Sequence, residues 1–376
     1  MLDLAKLREE IDEVDTQIQT LFERRMDICR EVAAYKIENG KKVFDKEREE
    51  SKLVRISAKA SNDFYAKGAQ EVFEQIMSIS RKMQYQLLTE KGVIGNLPFV
   101  AADRVIDKNA RVVYQGVKGA YSEQAMKKYF GDDVNGFAVE QWRDAMEAIE
   151  EGMADYAVLP IENSSAGIVS QNYDLLVEFE NYIVDEVVLQ IKHALLGVPG
   201  AKLQDIEVIY SHPQALMQSE KFLQDHRNIR AISVENTAVA AKKVADEGDI
   251  HQAAIASSLN AKLYGLDILE PVVNYNDVNS TRFIIVTNQK VFRKDAGKIS
   301  ICFELPHTSG SLYRMLAHFI YNDLNMDKIE SRPIPGRNWE YRFFIDFEGN
   351  LNDSAVKNAL RGIRNEAMNL KILGNY

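Results

Sequence analysis

Glycine is missing from the first 39 residues of this chain and proline from the first 97. These are the residues that punctuate turns, so their absence excludes a loop-rich or β-rich N-terminus and leaves long helices. Cysteine is scarce as well. Cys29 and Cys302 lie far apart, which excludes a disulfide framework and suggests a reducing compartment. No apolar run approaches the ~20 residues that span a bilayer. The N-terminus is charged from Asp3 onward, with no apolar signal core, so the expectation is a cytoplasmic protein without membrane association. No sustained Lys/Arg block is present and the formal net charge is -10. That balance argues against a nucleic-acid partner while leaving room for a local basic pocket. No His or Cys cluster has metal-ligand spacing, so neither a metal nor a cofactor is expected.

What is present is a stripe. Leu4, Leu7, Ile11, Val14, Ile18, Leu21, Arg25, Ile28, Val32 and Tyr35 step by threes and fours, the period of one face of a long packed helix, and Arg25 then points at the core. Arg8, Asp15, Phe22, Cys29 and Lys36 run along the flank. A lone seam arginine often snorkels to water. A second helix, about residues 64 to 89, changes the balance, because its inward positions Phe73, Met77, Ser80, Gln84 and Leu88 are also interrupted by polar residues. Between the two, Asp45 can cap a helix whose first turns carry Arg48 and Glu49. The pattern describes a polar pocket inside a helical bundle, suited to a small dicarboxylate more than to covalent chemistry. At ~1.5 Å per residue the distance from Arg8 to Arg25 along one helix is roughly 25 Å. If both serve one pocket, Arg8 comes from a second chain and the assembly is a dimer with shared sites.

Composition shifts after residue 91, where Gly92, Gly95 and Pro98 break the helical pattern. The expected organisation is a helical domain over 1–91, a linker over 92–110, an α/β domain over 111–289 and a small α+β domain over 297–376. In the middle domain, β-rich runs at Arg111 to Gln115, Tyr156 to Leu159, Glu207 to Tyr210, Ala253 to Ala256 and Phe283 to Thr287 alternate with helical stretches, which predicts largely parallel strands. In the last domain, Ile299 to Leu305 and Tyr341 to Phe347 read as strands, and Gly310 to Tyr321 and Ser354 to Glu366 as helices.

Polar clusters follow those strands, where ligands of open α/β sheets sit. Gly116-Val-Lys-Gly119-Ala-Tyr121-Ser122 is either an anion-holding turn or an ordinary one. Pro160-Ile-Glu162-Asn163-Ser164-Ser165-Ala-Gly167 is dense in hydrogen-bonding side chains. Ser211-His212-Pro213-Gln214 offers a histidine that is either an acid/base or structural. Asn279-Ser280-Thr281-Arg282-Phe283 sets a hydroxyl and a guanidinium before an apolar run.

In this order the four clusters make the stretch from about 111 to 287 resemble prephenate dehydratase. Residues 1 to 90 resemble the all-helical chorismate mutase, and the tail from about 297 resembles an ACT regulatory domain, with Ser311 where many relatives have alanine. The resemblance covers nearly the whole chain and implies the bifunctional chorismate mutase/prephenate dehydratase family, with a two-lobed, periplasmic-binding-protein-like α/β dehydratase. It implies chorismate and prephenate as substrates, L-phenylalanine as allosteric inhibitor, and a homodimer or higher homo-oligomer. In the mutase, Arg8 of a partner chain and Arg25 would hold the carboxylates, and Lys36 and Gln84 would donate to the ether oxygen. Arg48 would support carboxylate binding, while Asp45, Glu49 and Ser80 would engage the hydroxyl region. In the dehydratase, Thr281 would meet the leaving hydroxyl and Arg282 a carboxylate, with Glu162, Asn163, Ser164, Ser211 and Gln214 shaping the pocket and Glu162 or water supplying the proton. In the tail, Gly310, Ser311, Leu312, Glu330, Ser331 and Arg332 would sense phenylalanine. A competing class, a ligand-binding regulator without catalysis, would need a signal segment or a nucleic-acid module, and the N-terminal helices are neither basic enough nor of helix-turn-helix spacing.

Overall fold

A computed structural model describes residues 3–41, 43–91, 97–105, 109–275 and 279–376. The chain forms two compact units, Met1–Pro98 with Gly297–Ile372, and Phe99–Ala296 with Leu373–Tyr376. Among the described residues no helix is long and apolar enough to cross a membrane.

In the first unit the glycine-free and proline-free start forms α1 (Leu4–Glu38), begun by the Asp3 side chain accepting from the Ala5 N–H at 3.0 Å. It is followed by α2 (Lys46–Ser57) and α3 (Asp63–Glu90). Asp45 caps α2 by accepting from the Arg48 N–H at 3.2 Å, and Glu47 and Glu49 in the first turn suit the positive end of the helix. Helix α3 packs against both α1 and α2.

The stripe on α1 departs from expectation. Every described residue from 3 to 21 is exposed, with Leu4 at 63% and Leu21 at 62%, and Ala33 is the one residue of α1 that is buried. The periodicity makes the helix but this chain covers only its C-terminal half, since α2 has 12 residues and α3 has 28 against 35 in α1. Arg25 is therefore half-buried, its Nη1 donating to the Ile76 carbonyl at 3.4 Å, and not a core residue.

The tail runs strand, helix, strand, strand, helix, strand: Lys298–Glu304, Ser311–Ile320, Met326–Pro333, Tyr341–Glu348, Ser354–Glu366 and Met368–Asn375, of which Leu373–Asn375 belong to the second unit. Met326–Pro333 is the sheet edge beside Tyr341–Glu348, which pairs antiparallel with Lys298–Glu304. Phe303, Phe319 and Phe347 fill the space between sheet and helices. The Ser354–Glu366 helix packs on α3, so the helical segment and the tail share one unit.

Among the described residues the second unit contains two larger sheets and a two-stranded one. One has the order Tyr182–Gln190, Ser280–Thr287, Tyr156–Asn163, Arg111–Gln115, Asn135–Val139. The other has the order Asp267–Glu270, Ala194–Gly197, Gln252–Ala256, Val208–Ser211, Arg230–Ser233. The sheets are mixed, which corrects the expectation of largely parallel strands. Arg111–Gln115 and Val208–Ser211 have parallel neighbours on both sides, but Ser280–Thr287 lies antiparallel between Tyr156–Asn163 and Tyr182–Gln190. The chain crosses to the second sheet through 191–193 and returns through 271–279, of which 276–278 lie outside the described residues. Of the expected linker, 92–96 and 106–108 also lie outside them. Its Val100–Ala102 is a strand, paired in parallel with Val291–Arg293.

Candidate active sites

Three helices enclose the first site. Their facing sides leave a cavity of about 480 Å³ lined by Arg24, Arg25, Lys36, Arg48, Lys52 and Arg81, with Asp45 and Glu49 as the carboxylates and Ser80 and Gln84 as neutral polar groups. Six cations against two carboxylates make it a site for an anion carrying more than one charge. Burial lowers Lys36 from the usual lysine range, with Asp45 and Glu49 opposing the shift and Arg48 reinforcing it. Lys52 is lowered by burial and then by the charge of Arg25. The Lys36 ammonium donates to the Val43 carbonyl at 2.6 Å, which aims the end of a flexible side chain. Gln84 Nε2 donates to Ser80 Oγ at 3.2 Å, while its buried Oε1 has no hydrogen-bond partner among the described residues. A serine hydroxyl both donates and accepts, so turning the amide keeps this bond and presents N–H to a ligand. Of the expected residues, the cavity gathers Arg25, Lys36, Asp45, Arg48, Glu49, Ser80 and Gln84. Arg8 stands apart on the exposed half of α1.

The second site forms where the first sheet's Tyr156–Asn163 and Ser280–Thr287 strands end. Thr281 and Asn163 are register partners. Asn163 Nδ2 donates to Thr281 Oγ1 at 2.9 Å and to Asn279 Oδ1 at 3.0 Å, and its Oδ1 accepts from the Ser165 and Ala166 N–H groups, both at 2.9 Å. The chain of bonds continues through Asn279 Nδ2 to Gln218 Oε1 at 2.9 Å, and from there to His193 Nε2 at 2.9 Å. His193 Nδ1 meets the Tyr121 hydroxyl at 2.9 Å. Because Gln218 Oε1 can only accept, Nε2 carries an imidazole proton, while the Tyr121 hydroxyl also donates to the Lys192 carbonyl at 2.8 Å. Burial lowers the His193 pKa, with the Gln218 bond opposing the shift, so the ring is neutral near pH 7. Ser164 Oγ accepts from the Ser280 N–H at 3.0 Å, and buried Ser211 donates to the Ile255 carbonyl at 2.6 Å.

Some sequence assignments change. Arg282 is engaged by the protein's own carboxylates, Glu162 Oε2 at 3.0 Å and Glu186 Oε2 at 3.1 Å. His212 Nδ1 accepts from the Gln214 N–H at 3.1 Å as cap of the Pro213–Gln218 helix, a structural role. Gln214 is half-buried with an Nε2 that has no hydrogen-bond partner among the described residues. The anion at the Gly116–Gly119 turn is internal, since the Gly119 N–H donates to the buried Glu123 carboxylate. Gly119 has φ +91°, and a Cβ there would fall 2.1 Å from Asn260 Oδ1. In the tail, Gly310 at φ +74° opens the helix carrying Ser311 and Leu312, both half-buried. Glu330 and Arg332 are half-buried and Ser331 exposed on the edge strand.

Sequence reasoning missed Arg24, Lys52, Arg81, Gln218 and His193. Arg81 had a signal, being four residues after Met77 on the inward face of α3. His193 had none, because it lies on a segment that crosses between the sheets.

A three-helix anion pocket in one unit and a buried polar cluster at the strand ends of the other define an enzyme with two separate sites. Residues 112–291 match the family described as prephenate dehydratase, and residues 7–85 match chorismate mutase type II. The bifunctional chorismate mutase/prephenate dehydratase of Enterobacter agglomerans is 33% identical over 380 residues, covering 99% of this chain and 95% of that protein. Arogenate dehydratase/prephenate dehydratase 1, chloroplastic, of Arabidopsis thaliana is 41% identical over 286 residues, covering 72% of each. Among solved structures, prephenate dehydratase in complex with L-Phe from Arthrobacter aurescens is 30% identical with a TM-score of 0.66, covering 71% of this chain and 89% of that one. The chain belongs to the bifunctional chorismate mutase/prephenate dehydratase family. It isomerises chorismate to prephenate and dehydrates prephenate, two steps of phenylalanine biosynthesis.

Proposed function

We propose that the three-helix cavity is the chorismate site and the Thr281 cluster the prephenate site, each working independently. The observation that carries this is the cavity's lining of six cations around Ser80 and Gln84. The rearrangement is pericyclic, so the protein needs only to hold a compact dianion and stabilise charge at the breaking ether bond. Arg25 and Arg48 take the carboxylates. Lys36 and Gln84 donate to the ether oxygen, and Asp45, Glu49 and Ser80 meet the hydroxyl region. Arg8 completes the site from a partner chain, which supports a homodimer in which the exposed half of α1 is covered by its counterpart.

In prephenate the carboxylate leaves as carbon dioxide, its bonding electrons aromatise the ring, and the ring hydroxyl departs with one proton as water. Asn163 donates to Thr281 Oγ1, which directs the threonine's own proton toward the leaving hydroxyl. Held by two carboxylates, Arg282 orients Glu162 in place of gripping substrate. Ser164, Ser211 and Gln214 shape the pocket. Residues 297–376 act as an ACT domain, for which the strand-helix-strand-strand-helix-strand order is the support, and bind L-phenylalanine at Gly310, Ser311, Leu312, Glu330, Ser331 and Arg332 to inhibit dehydration. The Arthrobacter prephenate dehydratase, solved in complex with L-Phe, supports that ligand. The domain limits follow as 1–91, 111–289 and 297–376.

Steady-state turnover of both substrates tests the two-site reading. Lys36→Ala should abolish chorismate conversion and leave prephenate dehydration nearly intact, and Thr281→Ala should do the reverse. A folded variant that loses both activities contradicts it. A second reading adds arogenate as a dehydratase substrate, favoured by the 41% identity to the plant protein whose name includes it. Measuring dehydration of arogenate beside prephenate decides it, and no turnover at millimolar arogenate would refute it.

A further inference from the structure

Arg81 is an expensive residue for its position. Its side chain is 8% exposed on α3, and taking a cation out of water is costly unless well-placed anions compensate. Two do so, from different parts of the chain. Nη1 contacts Glu49 of α2, and Nη2 donates to Glu366 Oε1 at 3.1 Å, at the end of the Ser354–Glu366 helix. The guanidinium also lies over the Phe44 ring, 5.1 Å from its centroid. Glu366 is held in turn by His318 Nε2 at 3.1 Å, and its neighbour Asn365 bonds the Tyr85 hydroxyl, one turn of α3 beyond Arg81. Burial would raise the Glu366 carboxyl, but the bond and charge of His318 and the charge of Arg81 hold it below the usual carboxylate range. The anchor is thus an ion pair fixed at both ends.

Glu49 and Arg81 line the cavity and Glu366 does not. We propose that Arg81 is a positioning residue of the mutase site, setting the Glu49 carboxylate for the substrate hydroxyl, and that Glu366 of the tail fixes Arg81, making the C-terminal helix a structural part of the mutase. This rests on the reading of Glu49 given above. The substrate hydroxyl is not a reacting group, so a misplaced Glu49 weakens ground state and transition state alike. That loss appears in KM more than in kcat.

The test is the KM and kcat for chorismate in the full-length protein, with prephenate dehydration by the same preparations as the folding control. Arg81→Met should raise KM about tenfold with kcat changed by less than about threefold, and Arg81→Lys should recover part of the loss. Glu366→Gln, which leaves every cavity-lining residue in place, should raise KM about threefold, the cost of one weakened charge-assisted bond. Combining Arg81→Met with Glu49→Gln should be no worse than Glu49→Gln alone, because both act through one carboxylate. The proposal is overturned by additive losses, by a fall in kcat at unchanged KM, or by a parallel loss of dehydration, which would mark Arg81 as part of the fold only. If Glu49→Gln itself leaves KM unchanged, the reading of Glu49 fails and takes the proposal with it. If Glu49→Gln raises KM while Arg81→Met and Glu366→Gln do not, the reading stands and the proposal alone falls.

Discussion

In the helical cavity six cations face two carboxylates, whereas the Thr281 cluster is built from amides, hydroxyls and a neutral imidazole bonded to one another. The first arrangement is open in two senses. Its charge excess suits an anionic ligand, and the helix that builds it projects an uncovered apolar stripe with Arg8 beside it. The second is closed, with each group's orientation set by the next and the crossing segments that carry His193 and Asn279 bonded to Gln218 in the second lobe. The difference matches the chemistry. A pericyclic shift needs a dianion held and its developing charge met, while losing a hydroxide needs one hydroxyl group placed against it with water kept away.

The largest effect should come from breaking the closed network. Asn163→Ala removes the donor to Thr281 Oγ1 and the acceptor for two backbone N–H groups. Losing a positioned donor in such a site typically costs about 100-fold or more in kcat. Prephenate dehydration should fall by that order while chorismate turnover is unchanged, and a loss under about threefold would show that the bond chain does not position Thr281.

Much of this was legible in the sequence, for identifiable reasons. Threes-and-fours spacing and the missing glycine and proline marked α1, and Asp45 ahead of Arg48 and Glu49 marked the cap of α2. Periodicity says which face is apolar but not what covers it, so the stripe read as core although this chain leaves it exposed. The Tyr182–Gln190 strand went unread because Asp185 and Glu186 interrupt its apolar run. Asp185 is instead satisfied by Tyr129 at 2.6 Å and Arg293 at 2.8 Å, both distant in sequence. Arg282 beside Thr281 read as a free cation for the same reason, since its partners Glu162 and Glu186 arrive on neighbouring strands.

A smaller effect concerns the tail. Gly310 sits at φ +74°, so Gly310→Val strains the turn, and Glu330→Ala removes a half-buried carboxylate from the edge strand. Each should weaken phenylalanine inhibition of dehydration by about tenfold, the equivalent of ~1.4 kcal/mol of binding. Unchanged inhibition in both variants, or no heat of binding at millimolar phenylalanine, would remove the tail from the account.

Smaller still are the pH effects, which should point in opposite directions at the two sites. Lys36 is lowered by burial below its usual 10.5 and works as the cation. Mutase kcat/KM should therefore decline with rising pH before the ordinary lysine range is reached. His193 is lowered by burial below 6.5 and is folded in as the neutral ring. The unfolded chain then takes up the proton first as pH falls, so the stability of the second unit should decline below pH 6.5 toward the folded value. Thermal unfolding across that range checks the second shift, and a transition that does not move would contradict the assigned ring state.

Subunit mixing tests most directly whether the open site is shared while the closed one is not. Arg8→Ala and Arg25→Ala proteins, each expected to be mutase-deficient and dehydratase-competent, are combined in equal amounts and allowed to exchange. A shared site gives each mixed dimer one doubly damaged and one intact pocket, so mutase activity should return to about a quarter of wild type while dehydration stays constant throughout. No recovery, with exchange demonstrated by mass or by label, would place Arg8 outside the mutase site and contradict the account.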